Sequence, residues 1–250
     1  MLETIDHGSI RELNLARPPA NALNQEIVLT LTQSLLEAGQ SAQAVVVSGR
    51  PGMFSAGLDI PEMIEYDRDQ LSRSWQSFLN LLKTIAQMPV PTAFAITGHA
   101  PAGGIVMALY GDYRIMPREG FKTGLNEVQV GLVVPSVIHS ALVRTVGAHT
   151  AERILVAGEM MNSEKAHAIG LVDELVDQPE DTVIRALEWC EQHLALPGLA
   201  MQTTRAMARA DLHALFDDGS ELGVEKFVNI WFSESTRNTL KGLVARLQNK

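Results

Sequence analysis

The period of the apolar positions changes several times along the chain, and each change marks an element. Residues 2–6 and 9–15 alternate as two short strands joined across His7-Gly8, where glycine supplies the positive φ of a tight turn, so a hairpin is predicted. After it, Asn24 is suited to cap a helix that runs to about Glu37 with Ile27, Leu31 and Leu35 on one face. The β-branched run at 42–48 reads as a buried strand and completes a β-α-β order. A second helical stripe, Leu71, Trp75, Phe78, Leu79 and Leu82, leads to a strand at 92–97, a glycine loop, a short helix and a strand at 113–116. From Ala148 onward helical patterning dominates, interrupted by one apolar strand at 171–176. Pro197-Gly198 punctuates the second half and divides a core, 1–196, from a helical region, 197–250, that reads as an appendage. No internal repeat or low-complexity segment interrupts the pattern.

Composition narrows the partners. A chain of 250 residues, 46% hydrophobic and 20% charged, is long enough for a sizeable core. A formal charge of −9 argues against nucleic acid as the main partner, while leaving room for a local basic patch that holds a phosphorylated group. One cysteine, Cys190, excludes an internal disulfide framework and reads as a small buried residue. Residues 1–20 show neither an export h-region nor an Arg/Ser-rich transit pattern, so a cytoplasmic location is expected. The uncharged stretch 89–111 carries three prolines and four glycines, which suit a strand, a loop and a helix start rather than a membrane span.

Two stretches carry candidate chemistry. Phe54-Ser55-Ala56-Gly57-Leu58-Asp59 and Pro101-Ala102-Gly103-Gly104 each join small residues to a segment that reads as helical, so free backbone N–H groups can converge on one oxygen. Two such donors suit a thioester enolate, and the lone carboxylate that follows, Glu127, suits proton transfer beside the carbonyl. Other chemistries lack a motif. The histidines are scattered with no partner Cys-x-x-Cys, Ser55 is not in a Gly-x-Ser-x-Gly elbow, and no Gly-x-Gly-x-x-Gly or P-loop occurs.

The order of Pro18-Pro19-Ala20-Asn21-Ala22-Leu23, residues 54–60, residues 98–112 and Gly124-Leu125-Asn126-Glu127 resembles the successive motifs of the crotonase (enoyl-CoA hydratase/isomerase) superfamily, over almost the whole chain. Within it, Pro101 to Gly104, Asp112-Tyr113-Arg114-Ile115 and Gly124 to Glu127 are most similar to the mitochondrial-type Δ3,Δ2-enoyl-CoA isomerases. The resemblance implies an α/β fold, a spiral of β-β-α turns with a C-terminal helical trimerisation region, and a homotrimer or hexamer. It implies acyl-CoA thioester substrates with no separate cofactor and no metal. The thioester oxygen would be held by the N–H groups of Leu58 and Gly103, with Ala20, Asn21, Ala22, Ala56, Asp59, Ile60, Pro101 and Val106 along the substrate and coenzyme A path. Arg17, and Lys226 and Lys241 reaching from a neighbouring subunit, are candidates for the coenzyme A phosphates.

Departures from the wider superfamily bear on the reaction. Hydratases of this group use two glutamates, and the position of the first, two residues after Gly104, is Val106 here. Its dienoyl isomerases add an acid eight residues after the second glutamate, where this chain has Pro135. A single carboxylate, Glu127, is sufficient to carry a proton from C2 to C4 of a 3-enoyl-CoA. Its neighbours Leu125, Val128, Val130, Leu132 and Val133 predict an apolar setting and a raised carboxyl pKa. Two other readings stay open: a hydratase or other acyl-CoA lyase that draws its second acid from Glu62 or Glu65, and a non-catalytic acyl-CoA binding protein.

Overall fold

The hairpin at the N-terminus pairs β1 (Leu2–His7) with β2 (Ile10–Leu15) antiparallel, from Leu2↔Leu15 to His7↔Ile10, with Gly8 at φ 65° in the turn. The computed structural model describes residues 1–217 and 223–248. Helix α1 (Gln25–Ser41) is capped by the Asn24 side chain, which accepts the Ile27 N–H, and it buries Ile27, Leu31 and Leu35 as their spacing predicts. Strand β3 (Ala44–Ser48) is buried throughout and lies parallel to β2.

From β3 the chain winds in β-β-α turns. Strand β4 (Gly52–Met53) precedes α2 (Ile60–Met63) and α3 (Arg68–Ala86), and β5 (Thr92–Ala95) and β6 (Gly98–Pro101) precede α4 (Gly103–Ala108). Next come β7 (Tyr113–Pro117), β8 (Lys122–Gly124), a 3-10 turn (Glu127–Val130) and α5 (Ser136–Val146). In each turn the first strand joins one sheet and the second joins another, giving with β9 (Met160–Asn162) and β10 (Glu174–Val176) the orders β1-β2-β3-β5-β7-β10 and β4-β6-β8-β9. The remaining elements are α6 (Ala148–Ala157), β9 (Met160–Asn162), α7 (Ser163–Ala168), β10 (Glu174–Val176) and α8 (Asp181–Leu194). Beyond Pro197 follow α9 (Gly198–Ala208), α10 (Ala210–Ala214), α11 (Val224–Trp231) and α12 (Glu234–Gln248).

Three expectations are corrected here. The single strand and glycine loop expected over 92–101 are two strands in different sheets, broken at Ile96-Thr97. The close pairing of β6 with β4 needs glycine, since a Cβ on Gly98 would lie 2.1 Å from the Gly52 carbonyl carbon. The strand expected over 171–176 is only Glu174–Val176, because Leu171 and Val172 are buried in the preceding turn. The helices beyond Pro197 do not stand apart. Phe227 of α11 stacks on Trp75 of α3 at 3.8 Å, the Thr236 hydroxyl of α12 donates to the Gly131 carbonyl, and Arg237 reaches the Ile64 carbonyl.

The main core lies between the larger sheet, α1 and α3, and extends under the C-terminal helices. On the other face of that sheet α8 packs Ala186, Trp189 and Cys190 against Ile10, Val46, Ala93 and Ile115. Burial pushes the Cys190 thiol up to about 12, which leaves it protonated at neutral pH. Asp112 anchors α9 and α10 by accepting from Arg205 and Arg209, and Arg209 also donates to the carbonyls of Ala86 and Tyr110. Among the described residues no helix is long and apolar enough to cross a membrane, and residues 89–111 form β5, β6 and α4.

Candidate active site

The two small-residue segments lie against each other. A methyl group on Gly103 would stand 3.3 Å from the Leu58 nitrogen, and one on Gly57 would stand 3.0 Å from the Gly103 nitrogen. Among the described residues neither the Leu58 N–H nor the Gly103 N–H has an intramolecular acceptor. Both neighbours of Leu58 are fixed: the Gly57 carbonyl accepts the Leu23 N–H at 2.8 Å, and the Asp59 N–H donates to the Leu23 carbonyl at 3.1 Å. Gly57 has φ 80°, a conformation that admits glycine most readily. On the facing segment Ala102 has φ 45° and ψ −120°, a strained turn held because its N–H donates to the Gly124 carbonyl and its own carbonyl accepts the Val106 N–H. That turn leaves Gly103 as the first residue of α4, where helix geometry gives its N–H no partner.

Glu127 opens the 3-10 turn after β8. Its Oε2 is buried without a hydrogen-bond partner, and burial raises the carboxyl pKa to about 7. The apolar setting comes from only some of the neighbours expected to provide it. Leu125 and Leu132 are buried, whereas Val128 and Val133 are more than two-fifths exposed.

A cavity of about 640 Å³ joins these parts. Its walls include Ala20, Ala22, Ala56, Leu58, Asp59, Ile60, Pro101, Gly103, Val106 and Glu127, so of the residues expected to hold the oxygen, move the proton or line the substrate path only Asn21 stands behind the wall. The Asn21 side chain is buried, accepting the Arg17 N–H and donating to the Phe54 carbonyl, and so it braces the first N–H segment. Ser55 is likewise a structural loop serine whose hydroxyl donates to the Asn21 carbonyl. Arg17 lines the cavity but is committed to Asp59 at 2.7 Å and to the Ala22 carbonyl at 2.9 Å. Lys226 and Lys241 lie outside this cavity, Lys226 beside a shallow depression on α11.

Of the alternative acids, Glu62 is bound by Tyr66, Asn24 and Arg17 and does not line the cavity, and Glu65 is exposed outside it. Sequence reasoning passed over the apolar end of the cavity, built by Trp75, Phe78, Ile138, Phe227, Leu243 and Leu247. They lie on separate helices, and only the packing of α11 onto α3 and of α12 onto α11, α2 and the 3-10 turn makes them one wall.

Residues 6–249 match the protein family described as Enoyl-CoA hydratase/isomerase. The chain belongs to this family. It is 34% identical to human mitochondrial enoyl-CoA delta isomerase 1 over 250 residues, covering 97% of this chain and 82% of that protein. The crystal structure of human mitochondrial delta3-delta2-enoyl-CoA isomerase superposes with a TM-score of 0.93 at 31% identity, covering 99% of this chain and 98% of the other. The similarity extends to a protein named for the other reaction: the probable enoyl-CoA hydratase echA17 of Mycobacterium avium is 32% identical over 207 residues, 82% of this chain and 78% of that one. The protein is therefore an enzyme of the enoyl-CoA hydratase/isomerase family with the α/β crotonase fold.

Proposed function

We propose that this enzyme is an enoyl-CoA isomerase that moves a double bond from C3–C4 to C2–C3 of a coenzyme A thioester, with Glu127 as its only proton carrier. The observation that carries this reading is the carboxyl inventory of the cavity. Among the described residues two carboxylates line it; Asp59 is ion-paired with Arg17 and caps α2, and Glu127 has a buried oxygen with no partner. Val106 and Pro135, at the positions where relatives with other reactions carry a second acid, contribute only hydrocarbon to the wall.

The chemistry follows from that inventory. The Glu127 carboxylate removes a proton from C2, and the electron pair of that C–H bond delocalises over the C3=C4 bond and onto the thioester oxygen. The N–H groups of Leu58 and Gly103 hold the developing charge, a role in which fixed backbone donors need no reorganisation. The protonated Glu127 then returns the proton to C4, C2=C3 forms, and the carbonyl is restored. A carboxyl group with a pKa of about 7 suits both steps near neutral pH, as a base strong enough to act and an acid strong enough to give the proton back. The coenzyme A portion of the substrate runs past Ala20, Ala22, Ala56, Asp59, Ile60 and Pro101, and the working form is a homotrimer or a dimer of trimers.

Similarity to a protein named as a hydratase favours hydration of 2-enoyl-CoA as a second reading. Against it stands the absence from the cavity of the two suspected acids, Glu62 and Glu65. Parallel assays of 3-enoyl-CoA isomerisation and 2-enoyl-CoA hydration separate the readings. Isomerisation well above hydration is expected; equal or faster hydration overturns the isomerase reading, and turnover of neither substrate points to acyl-CoA binding without catalysis.

A further inference from the structure

Glu62 lies at the centre of a set of contacts that ends at the Leu58 N–H. Its Oε1 accepts the Tyr66 hydroxyl at 2.5 Å, and its Oε2 accepts Asn24 Nδ2 at 2.8 Å and an Arg17 guanidinium N–H at 3.4 Å. Its own backbone N–H donates to Asp59 Oδ1 at 3.1 Å, and Asp59 Oδ2 is 2.7 Å from Arg17. Next to Asn24 in the chain is Leu23, whose N–H and carbonyl bond to Gly57 and Asp59, the two neighbours of Leu58. The two backbone bonds to the residues on either side of Leu58 thus both come from Leu23, the neighbour of Asn24, which Glu62 holds, while Ser55 Oγ accepts the Gly57 N–H at 3.2 Å from the other side.

We propose that Glu62 is a positioning residue of the oxyanion hole: its carboxylate clamps Asn24, Arg17 and Tyr66 so that the 57–59 segment presents the Leu58 N–H to the thioester oxygen. This rests on the reading of Leu58 and Gly103 as the oxygen-binding pair. A donor that is displaced rather than deleted loses part of its effect, and positioning errors of an ångström are worth up to about 10²-fold in rate.

The test compares Glu62→Ala, Glu62→Gln and Tyr66→Phe with the wild type by steady-state kinetics on a 3-enoyl-CoA, and by the infrared carbonyl band of bound hexanoyl-CoA labelled with ¹³C at the thioester carbon. The band reads the pull of the N–H donors on the oxygen without any turnover. For Glu62→Ala, kcat should fall about tenfold while KM stays within about threefold, and the carbonyl band should move back toward its position in free hexanoyl-CoA. Glu62→Gln keeps the shape and an acceptor oxygen and should restore most of both signals, and Tyr66→Phe should shift both in the same direction as Glu62→Ala but less. A Glu62→Ala protein that melts earlier yet keeps wild-type kcat and carbonyl band overturns the proposal, as does a Glu62→Gln protein as impaired as Glu62→Ala. If Glu62→Ala fails to fold, an unchanged band in Tyr66→Phe overturns it. A wild type that shifts the band but does not isomerise refutes the isomerase reading alone, leaving Glu62 to be judged by the band, whereas a wild type that leaves the band unshifted overturns the Glu62 proposal too.

Discussion

A carboxyl group buried without a hydrogen-bond partner resists ionisation, and Glu127 shows what that does to both rate and stability. In its proposed role as the base it must be ionised before it can act, so kcat/KM should fall about tenfold per pH unit below about 7 and level off above it. A profile flat from pH 5 to 8 would remove Glu127 from the mechanism. Because its folded pKa lies above the usual 4.5, the folded state binds more protons than the unfolded state between 4.5 and about 7, and stability falls as pH rises through that window. At pH 8 the buried charge costs up to about 3 kcal/mol, the product of that shift and 1.36 kcal/mol per unit. Glu127→Gln should therefore lose at least ~10²-fold in isomerisation while melting at a higher temperature than the wild type at pH 8, with the difference shrinking toward pH 5. Gly103 obeys a steric rule instead. A Cβ there meets Gly57 Cα and Leu23 Cδ1, both at 3.2 Å, so Gly103→Val should reduce turnover by roughly 10² to 10³ through displacement of an N–H donor. Full activity in that variant would mean that the oxygen is held elsewhere.

Among the elements, the long helices and the strands of the larger sheet were legible in the sequence, and the short strands of the second sheet were not. Helices α1 and α3 appear where the stripes from Ile27 and Leu71 put them, and β3 where its β-branched run puts it. Strands β4, β6, β8 and β9 escape such reading, because two to four residues cannot display an alternation and their pairing is set by distant partners such as Gly52 against Gly98. The same limit applies to the site. Gly57, Gly103 and Glu127 were legible as local motifs, whereas Trp75 and Phe227, 152 positions apart in the chain, became cavity walls only through their stacking. The motif residue Asp112 turns out to hold α9 and α10 through two arginines, one of which, Arg209, is itself buried with its pKa lowered to about 10 by that burial. Asp112→Asn leaves the Arg209 charge without its counterion, and a loss of about 3 kcal/mol or more is expected in urea unfolding. A loss below about 1 kcal/mol would show that the helices are held by packing alone.

At the scale of the whole molecule, α9 leaves Leu199 and Met207 at 82% and 75% exposure, and the proposed assembly of three or six chains is the point to test. Light scattering should return a particle of three or six 27.2 kDa chains, and a stable single chain at micromolar concentration would contradict the expected assembly. The cavity also divides its labour along the chain. In the proposed mechanism the N–H donors and the base come from 58, 103 and 127, while Leu243 and Leu247, one turn apart on α12, close the far wall. With the acyl tail at that apolar end, as the proposed function would have it, substrate fit and the bond-making apparatus are separately heritable: variation confined to the last turns of α12 can retune which thioesters are accepted while the chemistry upstream stays as it is.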